Sequence, residues 1–270
     1  MTDFDVKVST RRFRAALISV MPHVSADKED ALLTRLRVYV SPEHLVVAAT
    51  DRFTAAMAWV PVDESTSEVG CFDVTLTDVQ QLLAVHRIPK EGSYDLRLGH
   101  DGKHLRATDV SGLGFGGKSL RLEGLTADRT YPDVPNLIAR TATAMDLRPP
   151  GQVLHQVWGA ALARFAVAAK AYEDYLVIEA MSRPRAVLVS CGSHFLGVLI
   201  PSTDDGEVAA RYEHELRATA VDVAHVARLG HPEPEAVKAQ QDATEVQDLS
   251  DLFPPATPAE KPDAEDGSDG

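Results

Sequence analysis

One order of elements is written three times along the first two hundred residues, and that repetition limits the fold more than any composition does. Phe4 to Ser9 alternates apolar and polar residues, the period of a half-buried strand. Ser9 and Thr10 offer an N-cap, and Phe13, Leu17, Val20 and Met21 then recur at helical spacing. Leu36 to Val40, Leu45 to Ala49 and Ala55 to Val62 read as three strands. The last two meet at Thr50-Asp51-Arg52-Phe53, where an Asp side chain can hydrogen-bond its own backbone and present Arg52 and Phe53 at a bend.

Cys71 begins the same order again. Phe72, Val74 and Leu76 alternate, Thr77-Asp78 caps a helix with Val79, Leu82, Leu83 and His86 on one side, and Tyr94 to Leu98, His104 to Thr108 and Ser119 to Glu123 follow as strands. A third pass has a short strand at Met145 to Arg148, a break at Pro149-Pro150-Gly151, and a helix face of Val153, Leu154, Val157, Ala161, Leu162 and Phe165. Tyr175 to Met181, Ala186 to Ser190 and Phe195 to Ile200 close it as strands. Three copies of one β-α-β-β-β unit imply an α+β fold, each unit backing an antiparallel sheet with one helix. Such units must join edge to edge and share a sheet.

The net charge of −13 acquires meaning only when located. From Asp204 onward 17 acidic residues face 5 basic ones, whereas 1–203 holds 23 against 22 and is nearly neutral. The acidity therefore sits in the tail, and the body is not excluded from contact with nucleic acid. Val208, Tyr212, Leu216, Ala220, Val223 and Val226 give an amphipathic helix over 204–231, and 232–270 reads as a disordered acidic tail. Leu249-Ser250-Asp251-Leu252-Phe253 is an apolar island within that tail, suited to docking into a groove. Cys71 and Cys191, 120 residues apart, fit a reducing compartment better than a disulfide framework. No signal-peptide order opens the chain and no apolar run is long enough to cross a bilayer, so a cytoplasmic protein without membrane contact is expected.

Motifs for chemistry are few. Gly112 to Ser119 satisfies a phosphate-loop pattern, but that loop works only when a helix follows it, and Leu120, Leu122 and Leu125 alternate as a strand. His100 and His104 have a strand turn between them and no third ligand nearby, so no metal site and no cofactor are expected. Asp51 and Asp109 recur in equivalent Ala-Thr-Asp positions, which argues for turn chemistry over catalysis. No enzyme is expected. Arg11, Arg12 and Arg14, then His86, Arg87 and Lys90, then His155, Arg164 and Lys170 fall on or beside the polar faces of the three helices. A row of such faces could neutralise phosphates without reading bases.

These residues resemble the bacterial sliding clamp, the β subunit of the replicative polymerase. Ala49-Thr50-Asp51-Arg52-Phe53 is similar to the clamp's Ala-Thr-Asp corner. Gly117-Lys118-Ser119 through Tyr131-Pro132-Asp133 resembles the strand and aromatic-Pro-Asp that close a clamp domain, and Arg185 to Ser202 resembles the final hairpin. The resemblance implies a DNA-clamp fold with sheets outside and helices inside, with 1–135 a two-repeat domain and 136–203 a half-length one. It also implies a peptide pocket at Thr50, Arg52, Phe53, Leu137, Ile138, Val198, Ile200 and Pro201, and a clamp-binding-like motif at Leu249, Ser250, Asp251, Leu252 and Phe253.

The function the resemblance implies is that of a homo-oligomeric processivity factor. It would tether DNA polymerase and other clamp-binding peptides to duplex DNA without sequence preference. Bacterial clamps carry six repeats in three domains, and the archaeal and eukaryotic type carries four in two, against three here. The tail helix covering the open half, several copies completing each other, and a protein that forms no ring all remain open. The alternative function is a non-ring regulatory module whose tail docks into a clamp pocket in cis or in trans.

Overall fold

The computed structural model describes residues 4–65, 69–88, 94–112, 117–123, 125–128, 130–143, 157–181 and 186–201. The chain divides into two compact units, Met1–Ala209 and Ala210–Gly270. The expected helix over 204–231, the motif at Leu249 to Phe253, the strand at Met145 to Arg148, and Lys90, His155, Val153 and Leu154 lie outside the described residues.

The first repeat is β1 (Phe4–Ser9), α1 (Thr10–Val20), β2 (Arg35–Val40), β3 (His44–Thr50) and β4 (Thr54–Ser65). The second is β5 (Gly70–Thr75), α2 (Leu76–Val85), β6 (Asp95–His100), β7 (His104–Asp109) and β8 (Ser119–Glu123), with a short β9 (Leu125–Thr126). After α3 (Val134–Thr143) come α4 (Gly159–Tyr172), β10 (Leu176–Met181), β11 (Ala186–Cys191) and β12 (Phe195–Leu199). Ser119–Glu123, which follows the glycine-rich stretch, is a strand.

The twelve strands among the described residues belong to one sheet, and every pairing among them is antiparallel. The order runs β8-β7-β6-β1-β4-β3-β2-β5-β9, and β10-β11-β12 joins it at β4. The long β4 serves two neighbours in succession: Thr54 to Ala58 pair with β12, and Val62 to Ser65 pair with β1. The third repeat is thereby built into the sheet of the first.

Strand periodicity sends alternate side chains to opposite faces, and here both faces of the central strands are covered. Leu45, Val47, Ala49, Ala56, Ala58, Val60, Val187, Val189, Phe195 and Leu199 join the larger core with Phe13, Leu17, Val20, Val79, Leu82 and Phe165 of α1, α2 and α4. Ala48, Ala55, Leu188 and Val198, one residue out of phase, form a second core with Val134 and Ile138 of α3 and with Tyr131. Burial on both faces explains why Leu45 to Ala49 and Ala186 to Ser190 read as continuous apolar runs. Gly197 on β12 makes the approach of α4 possible: a Cβ there would lie 2.5 Å from the Phe165 ring and 3.0 Å from the Ala55 carbonyl.

Three local readings differ from the sequence expectation. The cap of α2 is Thr75, not Thr77-Asp78: its hydroxyl accepts from the Asp78 N–H at 3.1 Å, while the Asp78 carboxylate turns back to Thr75, a capping box. The third-repeat helix begins at Gly159, with Trp158 as its N-cap. The segment after Tyr131-Pro132-Asp133 is the helix α3. Asp133 accepts from the Asn136 N–H at 3.1 Å, Pro135 sits in the first turn, and Val134, Ile138 and Thr141 face inward at spacings of four and three.

A buried ion pair ties the first two repeats together. Arg37 of β2 and Asp73 of β5 are cross-strand partners, bonded at 2.7 and 3.0 Å through both carboxylate oxygens. The same guanidinium donates to the Asp128 carbonyl at 2.7 Å and lies 4.2 Å from the Tyr131 ring centre. It thereby fixes the segment that leads into α3.

Candidate functional site

The β3–β4 corner is shaped by Asp51. Its Oδ1 accepts from the N–H of Phe53 at 3.1 Å, the N–H of Thr54 at 2.7 Å and the Thr54 hydroxyl at 2.8 Å. Its Oδ2 accepts from Arg164 of α4, which also donates to Thr54 Oγ1 at 3.2 Å. Burial pushes the Asp51 carboxyl up, but the bonds from Arg164 and Thr54 outweigh it and hold the group below the usual carboxylate range. Asp109 plays a similar part in the second repeat, accepting from the Ser111 N–H at 3.0 Å and its hydroxyl at 2.6 Å.

Beneath the corner lies His23, fully buried between Phe165 and Phe195, with ring centres 4.5 and 6.2 Å away. Its Nδ1 is 3.1 Å from Thr54 Oγ1. Because the Thr54 proton is engaged by Asp51, the histidine must be the donor, which fixes the Nδ1–H tautomer. Burial drives its pKa down to about 3, helped by the Arg164 charge and opposed by Asp51.

The corner displays what this network supports. Arg52 takes a left-handed backbone conformation, φ 77°, and its largely exposed side chain pairs with Asp30. Phe53 is 53% exposed, its ring centre 5.5 Å from that of Trp158, itself 63% exposed. The Phe53 carbonyl accepts from the Ile200 N–H at 2.9 Å, so Ile200, half exposed just past the end of β12, joins the same surface. Leu137 is exposed on α3, whereas Thr50, Ile138, Val198 and Pro201 are buried. Of the eight residues expected to form a pocket, four are therefore buried and four are exposed. Trp158 was not among them. An aromatic residue at the start of an otherwise Ala-rich helix was the available signal.

The helix-face cations divide in the same way. Arg11 and Arg12 are exposed in the first turn of α1, Arg87 is exposed after α2, and Lys170 is exposed near the end of α4. Arg14 instead donates to the carbonyls of Leu83 and His86, closing the end of α2. His86 is buried, and burial lowers its pKa. Arg164 is committed to Asp51. A cavity of about 160 Å³ between the start of α1 and the end of α2 is lined by Thr10, His86, Arg87 and Lys118 among others.

The same architecture occurs in a solved structure. The DNA polymerase III beta subunit from Thermotoga maritima matches with a TM-score of 0.56, over 78% of this chain and 67% of that one. The chain has the sliding-clamp fold. Identity with that clamp over the matched region is 14%, so the likeness is one of fold. No protein-family model matches the chain, and no curated protein matches it by sequence. The Phe53 corner and the end of β12 stand where β12 pairs with the start of β4. Among the described residues no group of side chains could hold a metal ion, and no helix is long and apolar enough to cross a membrane.

Proposed function

We propose that this chain is a non-catalytic, clamp-like processivity factor that holds replication proteins on duplex DNA. The observation that carries this reading is the apolar surface of Phe53, Trp158 and Ile200, exposed together where the third repeat joins β4. Three large apolar side chains in one place suit the anchors of a short partner peptide, each worth roughly 2 kcal/mol when buried. Arg52 at the rim would meet an acidic residue of that peptide. Arg11, Arg12, Arg87 and Lys170 would contact phosphates, giving sequence-independent affinity. The tail motif Leu249 to Phe253 is a peptide of the same chemistry and would dock into a clamp surface in cis or in trans.

Two titrations of the full chain test this. A fluorescent Gln-Leu-Ser-Leu-Phe peptide should bind, and the double variant Phe53→Ala/Ile200→Ala should lose it. Duplex DNA should bind with an affinity that falls with salt at a log–log slope of about −3.6 per protomer if four cations engage phosphates. Peptide binding unchanged in the double variant, together with a slope near zero, would remove the proposal. Solution mass then sorts the assemblies: a monomer at high concentration favours a module that docks without encircling DNA.

A further inference from the structure

Directly opposed residues Asp5, Gly99, Arg106 and Arg121 form one row across β1, β6, β7 and β8. Their neighbours Val6, Leu98, Leu105 and Leu122 point into the helix-backed core, so the row lies on the other face of the sheet. Two features of the row are unusual. Arg106 and Arg121 face each other across adjacent strands, and like charges in that position repel. Gly99 leaves the middle of the row without a side chain, and a cavity of about 310 Å³ opens there, lined by Asp5, Gly99, Asp101, His104, Arg106 and Arg121 among others.

Two carboxylates stand at its margins, and both have partners. Asp5 lies 3.5 Å from Arg97. Asp101 Oδ1 accepts from the N–H groups of Lys103 at 3.0 Å and His104 at 2.8 Å, while Oδ2 reaches Arg121 only at 3.8 Å. Arg121 donates to His104 Nδ1 at 2.9 Å, and among the described residues Arg106 has no ion-pair partner.

We propose that this cleft is an oxyanion site, in which a phosphate or carboxylate group sits over Gly99 and bridges Arg106 and Arg121. Planar guanidinium forks suit such a group because each can donate two parallel hydrogen bonds to it. The bridging anion turns the repulsion between the arginines into shared attraction. The site uses none of the helix-face cations and none of the Phe53 surface, so it stands or falls independently of the clamp reading.

The full chain is titrated with inorganic phosphate and, separately, with a short polyglutamate peptide, following arginine Nε–Hε signals by NMR. Saturable shifts at Arg106 and Arg121 are expected, weakened at least tenfold by Arg106→Gln. Gly99→Val fills the floor and should abolish binding. The fold should accept it, since a Cβ there meets only the Phe4 carbonyl at 3.7 Å and Asp5 Oδ2 at 3.9 Å. A response to phosphate alone assigns a phosphoryl ligand, to the peptide alone a carboxylate ligand, and to both an oxyanion in general. Without ligand, Arg106→Gln should raise the denaturation midpoint, because repulsion is relieved. Shifts that do not saturate with either probe, equal binding by Arg106→Gln, or a lowered midpoint would each overturn the site.

Discussion

Acid should unfold this protein through His23 before it reaches the carboxylates. The folded chain holds His23 neutral with a pKa of about 3, against 6.5 for an exposed histidine. The unfolded chain therefore binds the proton more strongly. The stability that His23 contributes is complete above pH 6.5 and is lost as the pH falls toward 3. At 1.36 kcal/mol per pKa unit, moving from pH 6.5 to 4.5 costs on the order of 2 kcal/mol, and full protonation on the order of 5. That is comparable with the whole stability of a typical domain. Asp51 acts in the same direction but in a lower window, since its pKa is already below 3.8 when folded. Urea denaturation at half-unit pH steps, read by Trp59 and Trp158 fluorescence, gives the curve. His23→Asn keeps a donor toward Thr54 but cannot titrate, so it should be less stable at pH 7 and yet lose much less between pH 6.5 and 4.5. Parallel curves for the two proteins would refute the reasoning, because the acid sensitivity would then belong to other groups, His86 first.

Asp73→Ala should cost about 3–5 kcal/mol, measured by denaturant unfolding, because it leaves the Arg37 charge buried and unpaired between β2 and β5. Gly197→Ala should destabilise by roughly 1–3 kcal/mol in the same assay, since its methyl would overlap Phe165 and press on the Ala55 carbonyl. On α3, Ile138→Ala should lose about 2–5 kcal/mol. Leu137→Ala, half exposed on the same helix, should change stability by no more than about 0.5. Equal effects at the two positions would mean that α3 does not pack as described.

The described strands and the helices α1 and α2 were legible because their periods differ and turn residues punctuate them, and the recurring order led directly to one antiparallel sheet. What escaped was set by distant partners. Leu137 and Ile138 looked like linker residues, although the continuous apolar runs of β3 and β11 already required a cover on the second face, and α3 is that cover. Arg14, His86 and Arg164 were indistinguishable in sequence from Arg11, Arg12 and Arg87. Arg14 is occupied by carbonyls 69 and 72 residues away, and Arg164 by a carboxylate 113 residues away. The corner at Asp51 was readable as a turn. The bonds that lock it, from His23 through Thr54 and from Arg164, were not.

The two-neighbour arrangement of β4 has a consequence for synthesis. Thr54 to Ala58 leave the ribosome well before Phe195 to Leu199, the segment that completes their hydrogen bonding. Until then the nascent chain carries a bare stretch of strand in its middle, open to pairing with any other unfinished polypeptide. A fragment ending near residue 135 would keep that stretch permanently uncovered, so the first two repeats should express poorly without the third.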